Sequence, residues 1–160
     1  MNNKLGINEE RMNKIEKELV KMKLNFLDEY FTFNNQELNF NFLKCLHDFL
    51  FCDFYYKKDL NVRKMSFQEE KLINIYLRKI INICITKPQD IDNILQIVCS
   101  IWEMQPFIIG NTRTLIAYLK IINSGYLLGL DIDINKNIES NPSMFKKENF
   151  VNQKQLTKVK

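Results

Sequence analysis

The chain has 160 residues, of which 46% are hydrophobic and 26% charged, as expected for one ordinary domain with a real core. It contains one histidine, His47, which excludes metal sites and protease motifs built on several histidines. The net charge of +4 comes from residues 146–160, where five Lys and one Glu leave a basic tail on a neutral remainder. Since there is no arginine cluster and no run of 18 apolar residues, we expect neither nucleic-acid binding nor a membrane span.

The cysteines indicate a reducing compartment. Cys45, Cys52, Cys84 and Cys99 form no CxxC pair, and the polar start MNNKLGINEERMNK does not resemble a secretory signal. We therefore expect reduced thiols in a cytoplasmic protein.

The first predicted element is a helix over about residues 8–30, within an N-terminal segment 1–35. Asn8 followed by Glu9 and Glu10 is typical of a helix start. Apolar residues then recur at spacings of three and four, at Met12, Ile15, Leu19, Met22 and Phe26. We expect this stripe to pack on the domain; a short coiled coil is the alternative.

A domain over residues 36–150 follows, and helical periodicity dominates it. The second helix is predicted within 36–57, and 58–66 is predicted as a loop, with a short β-hairpin flap near 58–68 as an alternative. A third helix is expected to end near Thr86, before Pro88, and a fourth to run from about Ile91 to Pro106.

A fifth helix is predicted from about Thr112 to Asn123, with Gly125 as its stop, and a short last helix within 143–152. The basic tail, 151–160, is expected to be flexible. No strand pattern is strong, so the sequence predicts a single all-α domain.

The segment WEMQPFIIGNTRTL, residues 102–115, carries the clearest chemical signal: a helix, a proline break, a glycine-containing loop and another helix. Gly110, Asn111, Thr112 and Arg113 fall at the start of the fifth helix, where backbone N–H groups favour an anion. Arg113 could hold a phosphate there. Alternatively, Asn111 or Thr112 merely caps the helix and Arg113 is solvated.

The stretch QPFIIGNTRT resembles the Fic motif, HPFx(D/E)GN(G/T)R, of the Fic/Doc (Fido) family. The helix FLKCLHDFLFCDFY, residues 42–55, and the helix ending in NSGY, residues 123–126, are also similar to that family. The resemblance covers about residues 36–150. It implies an α-helical bundle that transfers AMP from Mg-ATP to a hydroxyl of a target protein, with the GN backbone and the arginine on the phosphates.

Two motif positions differ from the family. Gln105 replaces the histidine that serves as general base, and an amide cannot accept a proton at neutral pH. Ile109 replaces the acidic residue that holds Mg²⁺, so no metal ligand is expected. His47 matches a histidine of the family's upstream helix and is read as structural. The stretch where the family's target-docking flap begins is YKKDLNVR, residues 56–63, and it is short.

Three hypotheses follow from the resemblance and its departures. The first is a Fic-like protein with weak or no AMP transfer that keeps a phosphate loop for ATP or another nucleotide at Gly110, Asn111, Thr112 and Arg113. The second is an active enzyme that uses another base or another phosphate donor. The third is a helical interaction protein without catalysis. A target or regulatory protein is the expected partner, and a homodimer stays open.

Overall fold

The computed structural model describes residues 3–31, 38–55, 63–133 and 145–150. Within these ranges the chain forms six α-helices and a 3₁₀ turn: α1 (Glu9–Asn25), α2 (Leu27–Tyr30), α3 (Phe40–Phe51), α4 (Phe67–Thr86), α5 (Ile91–Met104), α6 (Asn111–Tyr126) and the turn at Lys147–Asn149. Among the described residues, an isolated antiparallel bridge pairs Asn3 with Tyr55, and Phe107 also occupies a β-bridge position. The prediction of an all-α single domain is confirmed.

The core lies around α6, which contacts α3, α4 and α5. Leu115, Ile116, Leu119 and Ile122 of α6 are buried, as the periodicity predicts. Because α6 is buried along most of its length, its first turn is fixed against the C-terminal part of α3 and the end of α5. No helix among those described is long and apolar enough to cross a membrane.

Local signals account for several helix boundaries. Asn8 accepts a hydrogen bond from the Arg11 N–H and so caps α1, as predicted. Ser66 and Glu69 form a capping box at the start of α4, and α4 ends at Thr86 as expected. The predicted fourth helix is confirmed as α5.

The predicted core face of the first helix is only partly confirmed, because Met12 is buried and Leu19 packs on the core but the other three predicted residues do not. The residues of α1 that are buried are Met12, Glu16, Val20 and Leu24, whereas the Ile15, Met22 and Phe26 side chains are exposed. The helix also ends at Asn25 rather than continuing to about residue 30, and a separate short helix, α2, follows. The buried residues of α1 are spaced by four, so the face that contacts α3 is rotated from the one that the sequence predicts.

Four other boundaries differ from the predictions. The second helix covers only Phe40–Phe51. The predicted flap is absent from 63–68, where a loop leads into α4, and its remainder lies outside the described residues. Of the predicted helix at 143–152, residues 145–150 contain only the 3₁₀ turn, and the rest lies outside the described residues.

The fourth difference concerns the end of α6. The helix passes through Gly125 to Tyr126, and Leu127 is the residue with positive φ, at 54°. Asn123 fixes this exit, because its side chain bonds both the N–H and the C=O of Leu130. The prediction of Gly125 as the stop is therefore wrong by two residues.

Candidate functional site

The loop between α5 and α6, residues 105–110, is closed by the side chain of Asn111. Its Oδ1 accepts from the Phe107 N–H at 2.9 Å, and its Nδ2 donates to the Phe107 carbonyl at 2.8 Å. Nδ2 also lies 3.0 Å from Oε1 of Gln105. The Asn111 amide is thus used inside the loop, and only its backbone N–H is placed to meet a ligand.

Gly110 precedes the first turn of α6 with φ 74°, a conformation that glycine adopts without strain. A Cβ at this position would lie 2.3 Å from Cε2 and Cζ of the buried Phe51 ring. No side chain caps α6, so the N–H groups of Asn111, Thr112 and Arg113 have no cap acceptor at a positive helix end. The alternative in which Asn111 or Thr112 caps this helix is excluded.

Thr112 and Gln105 connect the loop to α5. The Thr112 hydroxyl accepts from Nε1 of Trp102 at 2.8 Å and is buried. Nε2 of Gln105 donates back to the Trp102 carbonyl at 2.8 Å, while Gln105 itself has φ 47°. The amide at the motif's histidine position therefore ends α5 and remains on the exposed side of the loop.

The buried His47 side chain of α3 supports the loop between α5 and α6. Its ring stacks on Phe107 at 4.1 Å between centroids, and Nε2 lies 2.8 Å from the Ile109 carbonyl. A carbonyl only accepts, so Nε2 carries the proton. Burial lowers the pKa of His47, which keeps the ring neutral, and the side chain is only 2% exposed. The imidazole is therefore a support for the loop and cannot reach a target hydroxyl.

Ile109 contributes a carbonyl to His47 and a half-buried side chain to the edge of a cleft. That position offers no oxygen ligand from its side chain. Among the described residues there is no group of three or more His, Cys, Asp or Glu side chains that could hold a metal ion.

Arg113 is not solvated. Its Nη1 lies 2.5 Å from Oε1 of Glu16, and its guanidinium lies over the Phe51 ring at 4.7 Å from the centroid. The two charged side chains are 15% and 8% exposed. Oε2 of the same glutamate accepts from the Tyr55 hydroxyl at 2.7 Å, and burial raises the pKa of Tyr55, so the phenol stays a donor.

A cleft of about 690 Å³ opens beside this ion pair. It is lined by α1, by the segment before α1 and by Tyr55, Ile109 and Arg113. A second cleft, of about 580 Å³, lies between the starts of α3 and α4 and contains none of the predicted site residues. The cleft at Arg113 is therefore the one that the loop chemistry can use.

Three residues of the site were not predicted from the sequence. The Glu16 carboxylate neutralises Arg113, the Tyr55 hydroxyl donates to that carboxylate, and Arg63 holds the loop between α5 and α6. Nε of Arg63 donates to the Met104 and Gln105 carbonyls at 3.1 and 3.0 Å, and its backbone N–H donates to the Pro106 carbonyl. No local sequence signal marks Glu16 or Arg63, because each contacts residues that are far away in the sequence.

Comparison with protein-family models gives no match for this sequence, and comparison with curated proteins gives none either. The resemblance to the Fic motif depends on the residues of the loop and of the helices around it.

Proposed function

We propose that this chain is a Fic-like domain that binds the phosphates of a nucleotide at Gly110–Arg113 and performs little or no AMP transfer. The observation that carries the proposal is the start of α6. Gly110, with positive φ, precedes a first turn that has no side-chain cap, and Arg113 in that turn lines the cleft together with Ile109. Backbone N–H groups at a helix start, together with a guanidinium, are a common phosphate site.

The chemistry available at the loop favours binding over transfer. Gln105 carries an amide, and the chain's single imidazole is buried under the loop. Losing a general base costs about 10²–10⁴-fold in rate. Without an acidic side chain at position 109, Mg²⁺ has no ligand from that residue. We therefore expect nucleotide binding to depend on the phosphate contacts themselves.

Glu16 sets the strength of this binding. A phosphate that pairs with Arg113 must replace or share the carboxylate that already does so. Glu9 also lines the cleft, so the charge around the ligand is not strongly positive. We therefore expect weak binding of ADP or ATP by the native chain, and about tenfold tighter binding, or about 1.4 kcal/mol, in Glu16→Gln.

Calorimetry with ATP, ADP and AMP tests this proposal. The Glu16→Gln variant keeps a hydrogen-bond partner for Tyr55 while releasing the guanidinium. Adding Arg113→Gln in that background should remove binding, whereas Arg78→Ala, an exposed arginine on α4, is the matched control and should change nothing. Equal binding with and without the Arg113 guanidinium would refute the phosphate site.

The interaction-protein hypothesis is the second candidate, because the side chains of Asn111, Thr112 and Arg113 all have partners within the chain. On that hypothesis the motif only stabilises the loop. The absence of nucleotide binding in both the native chain and Glu16→Gln would favour it.

The active-enzyme hypothesis is tested with labelled ATP, magnesium and a cytosolic extract. Because the single imidazole is buried, the carboxylates that line the cleft, Glu9 and Glu16, are the candidate bases for this hypothesis, and another phosphate donor stays open. AMP labelling by the native chain that Glu16→Gln abolishes would support it. If the native chain gives no labelling and the double variant Gln105→His with Ile109→Glu gives strong labelling, the result would instead support the hypothesis that the native chain has lost AMP transfer.

A further inference from the structure

The cleft of about 580 Å³ between the starts of α3 and α4 contains no residue of the proposed phosphate site. Leu77, which is buried, and Ile81, one turn further along α4, form its apolar floor. The other apolar side chains that line it are Leu38, Phe67 and Tyr126. Small-molecule sites in proteins measure about 300–1,000 Å³ and are lined mainly by such side chains. The cleft therefore has the size and the lining of a ligand site.

The cleft follows the axis of α4. One continuous face of this helix lines it, from Phe67 in the first turn to Ile81. At 1.5 Å per residue these positions cover about 21 Å. A volume of about 580 Å³ spread along such a length is narrow. The shape therefore suits one extended aliphatic chain better than a compact ring system.

The two amide side chains at the cleft offer hydrogen-bond donors. Oδ1 of Asn39 accepts from the Phe42 N–H at 3.1 Å, and Oδ1 of Asn74 accepts from the Phe40 N–H at 3.0 Å. Nδ2 of Asn74 uses one of its two N–H bonds on the Glu70 carbonyl, at 3.2 Å. Because both amide oxygens are engaged, these side chains present N–H groups to a ligand, and a ligand with acceptor oxygens matches them.

The charge of the cleft is positive. Lys71 and Arg78 line it, are exposed, and have no carboxylate partner in the described part of the chain. The carboxylate of Glu70 also lines the cleft, but it lies 4.0 Å from Nζ of Lys44 on α3, which balances its charge from outside the cleft. The two remaining cations favour an anionic group on the ligand.

We propose that this cleft binds an alkyl carboxylate, such as a fatty acid. The carboxylate lies between Asn74 and Arg78, and the alkyl chain covers the floor at Leu77 and beyond. Side chains on a helix point back toward its N-terminus, so the Arg78 guanidinium extends toward Asn74, one turn before it. A guanidinium pairs with a carboxylate through two parallel N–H groups, and Lys71 adds a second positive charge. This inference goes beyond the proposed function and does not depend on it.

Calorimetry of the full chain with decanoate and with decylammonium tests the chemistry of the ligand. The two probes carry the same chain and opposite charges. We expect a Kd for decanoate on the order of 100 µM, and binding of decylammonium at least tenfold weaker. Octanoate should also bind roughly tenfold more weakly than decanoate, because each buried methylene raises affinity about fourfold. No binding of decanoate at millimolar concentration, or equal affinities for the two charges, would overturn the proposal.

Substitutions on α4 test the position of the site. Arg78→Ala should weaken decanoate binding about tenfold, and Ile81→Trp should abolish it by filling the cleft. The matched controls are Lys79→Ala and Ile85→Trp, at exposed positions of the same helix outside the cleft, and both should bind like the native chain.

Circular dichroism checks that each variant is folded. Since Arg78 is exposed, Arg78→Ala decides the outcome even if Ile81→Trp disturbs the fold. Decanoate binding that Arg78→Ala leaves unchanged, or that Lys79→Ala weakens equally, would overturn the proposed site.

Discussion

Replacing Gly110 with alanine should destabilise the domain more than any comparable glycine substitution in the described chain. The left-handed backbone, with φ 74°, costs an L-residue about 1–2 kcal/mol. The added Cβ would also lie 2.3 Å from two ring atoms of Phe51, which is fully buried and cannot turn away. Overpacking of this kind costs about 1–3 kcal/mol, so the expected loss in the free energy of unfolding is about 2–5 kcal/mol.

Gly129 provides the matched control. Its φ is also 74°, but a Cβ there would meet nothing within 4 Å, so Gly129→Ala should cost only the backbone strain. Urea unfolding followed by circular dichroism measures both losses. Phe51→Leu should couple with Gly110→Ala in a double-mutant cycle, because it removes the ring atoms that clash. If Gly110→Ala costs no more than Gly129→Ala, the contact between the loop and α3 has been misassigned.

Three further predictions concern buried polar groups. Because burial lowers the pKa of His47, the unfolded chain binds more protons than the folded chain near the ordinary histidine pKa of 6.5. The free energy of unfolding should therefore be highest above pH 6.5 and should fall as the pH drops below it. In His47→Gln, unfolding measured across this pH range should no longer show this fall. Glu16→Ala should lower the free energy of unfolding by about 3 kcal/mol in thermal or urea unfolding, because it leaves the Arg113 charge buried and unpaired. An equal loss in the double variant Glu16→Gln with Arg113→Gln, which removes both charges, would argue against a stabilising ion pair. The Tyr118 hydroxyl is buried without a hydrogen-bond partner in the described structure, so Tyr118→Phe should leave stability unchanged or raise it by about 1 kcal/mol, and a clear loss would reveal a hidden partner.

The helical order of the fold could be predicted because apolar residues recur with the helical period and strong local signals mark the ends. Asn8, which caps α1, and Pro88, which prevents α4 from continuing, are examples. Each acts through its neighbours in the sequence, so each can be recognised without the tertiary structure. The extension of α6 past Gly125 is different. The contact between Asn123 and Leu130 decides it, and that contact depends on how the chain leaves the helix.

The face of α1 that packs on the domain could not be predicted from periodicity. The helix carries two apolar stripes. The stripe with Ile15 and Met22 is the more uniformly apolar, because Glu16 interrupts the stripe that is buried. A carboxylate is rarely buried unless it is paired. Its partners, Arg113 and Tyr55, come from distant parts of the chain, so nothing in the sequence around position 16 indicates that this carboxylate is buried.

The candidate loop was predictable in position and only partly in detail. Pro106 and Gly110 predict the break between α5 and α6, and the structure places Gly110 immediately before α6. The use of the Asn111 side chain within the loop and the clamp by Arg63 depend on contacts between carbonyls and side chains that only the folded chain brings together. Since these contacts occupy the side chains of the motif, the proposed phosphate contact depends on the backbone of the first turn and on Arg113.

The most direct test of the phosphate site is a crystal structure of the Glu16→Gln variant grown with ADP. We expect a phosphate group within hydrogen-bond distance of the Asn111, Thr112 and Arg113 N–H groups, with the Arg113 guanidinium turned onto it. A cleft without nucleotide at saturating ADP, or a nucleotide bound away from the start of α6, would contradict the proposed phosphate site.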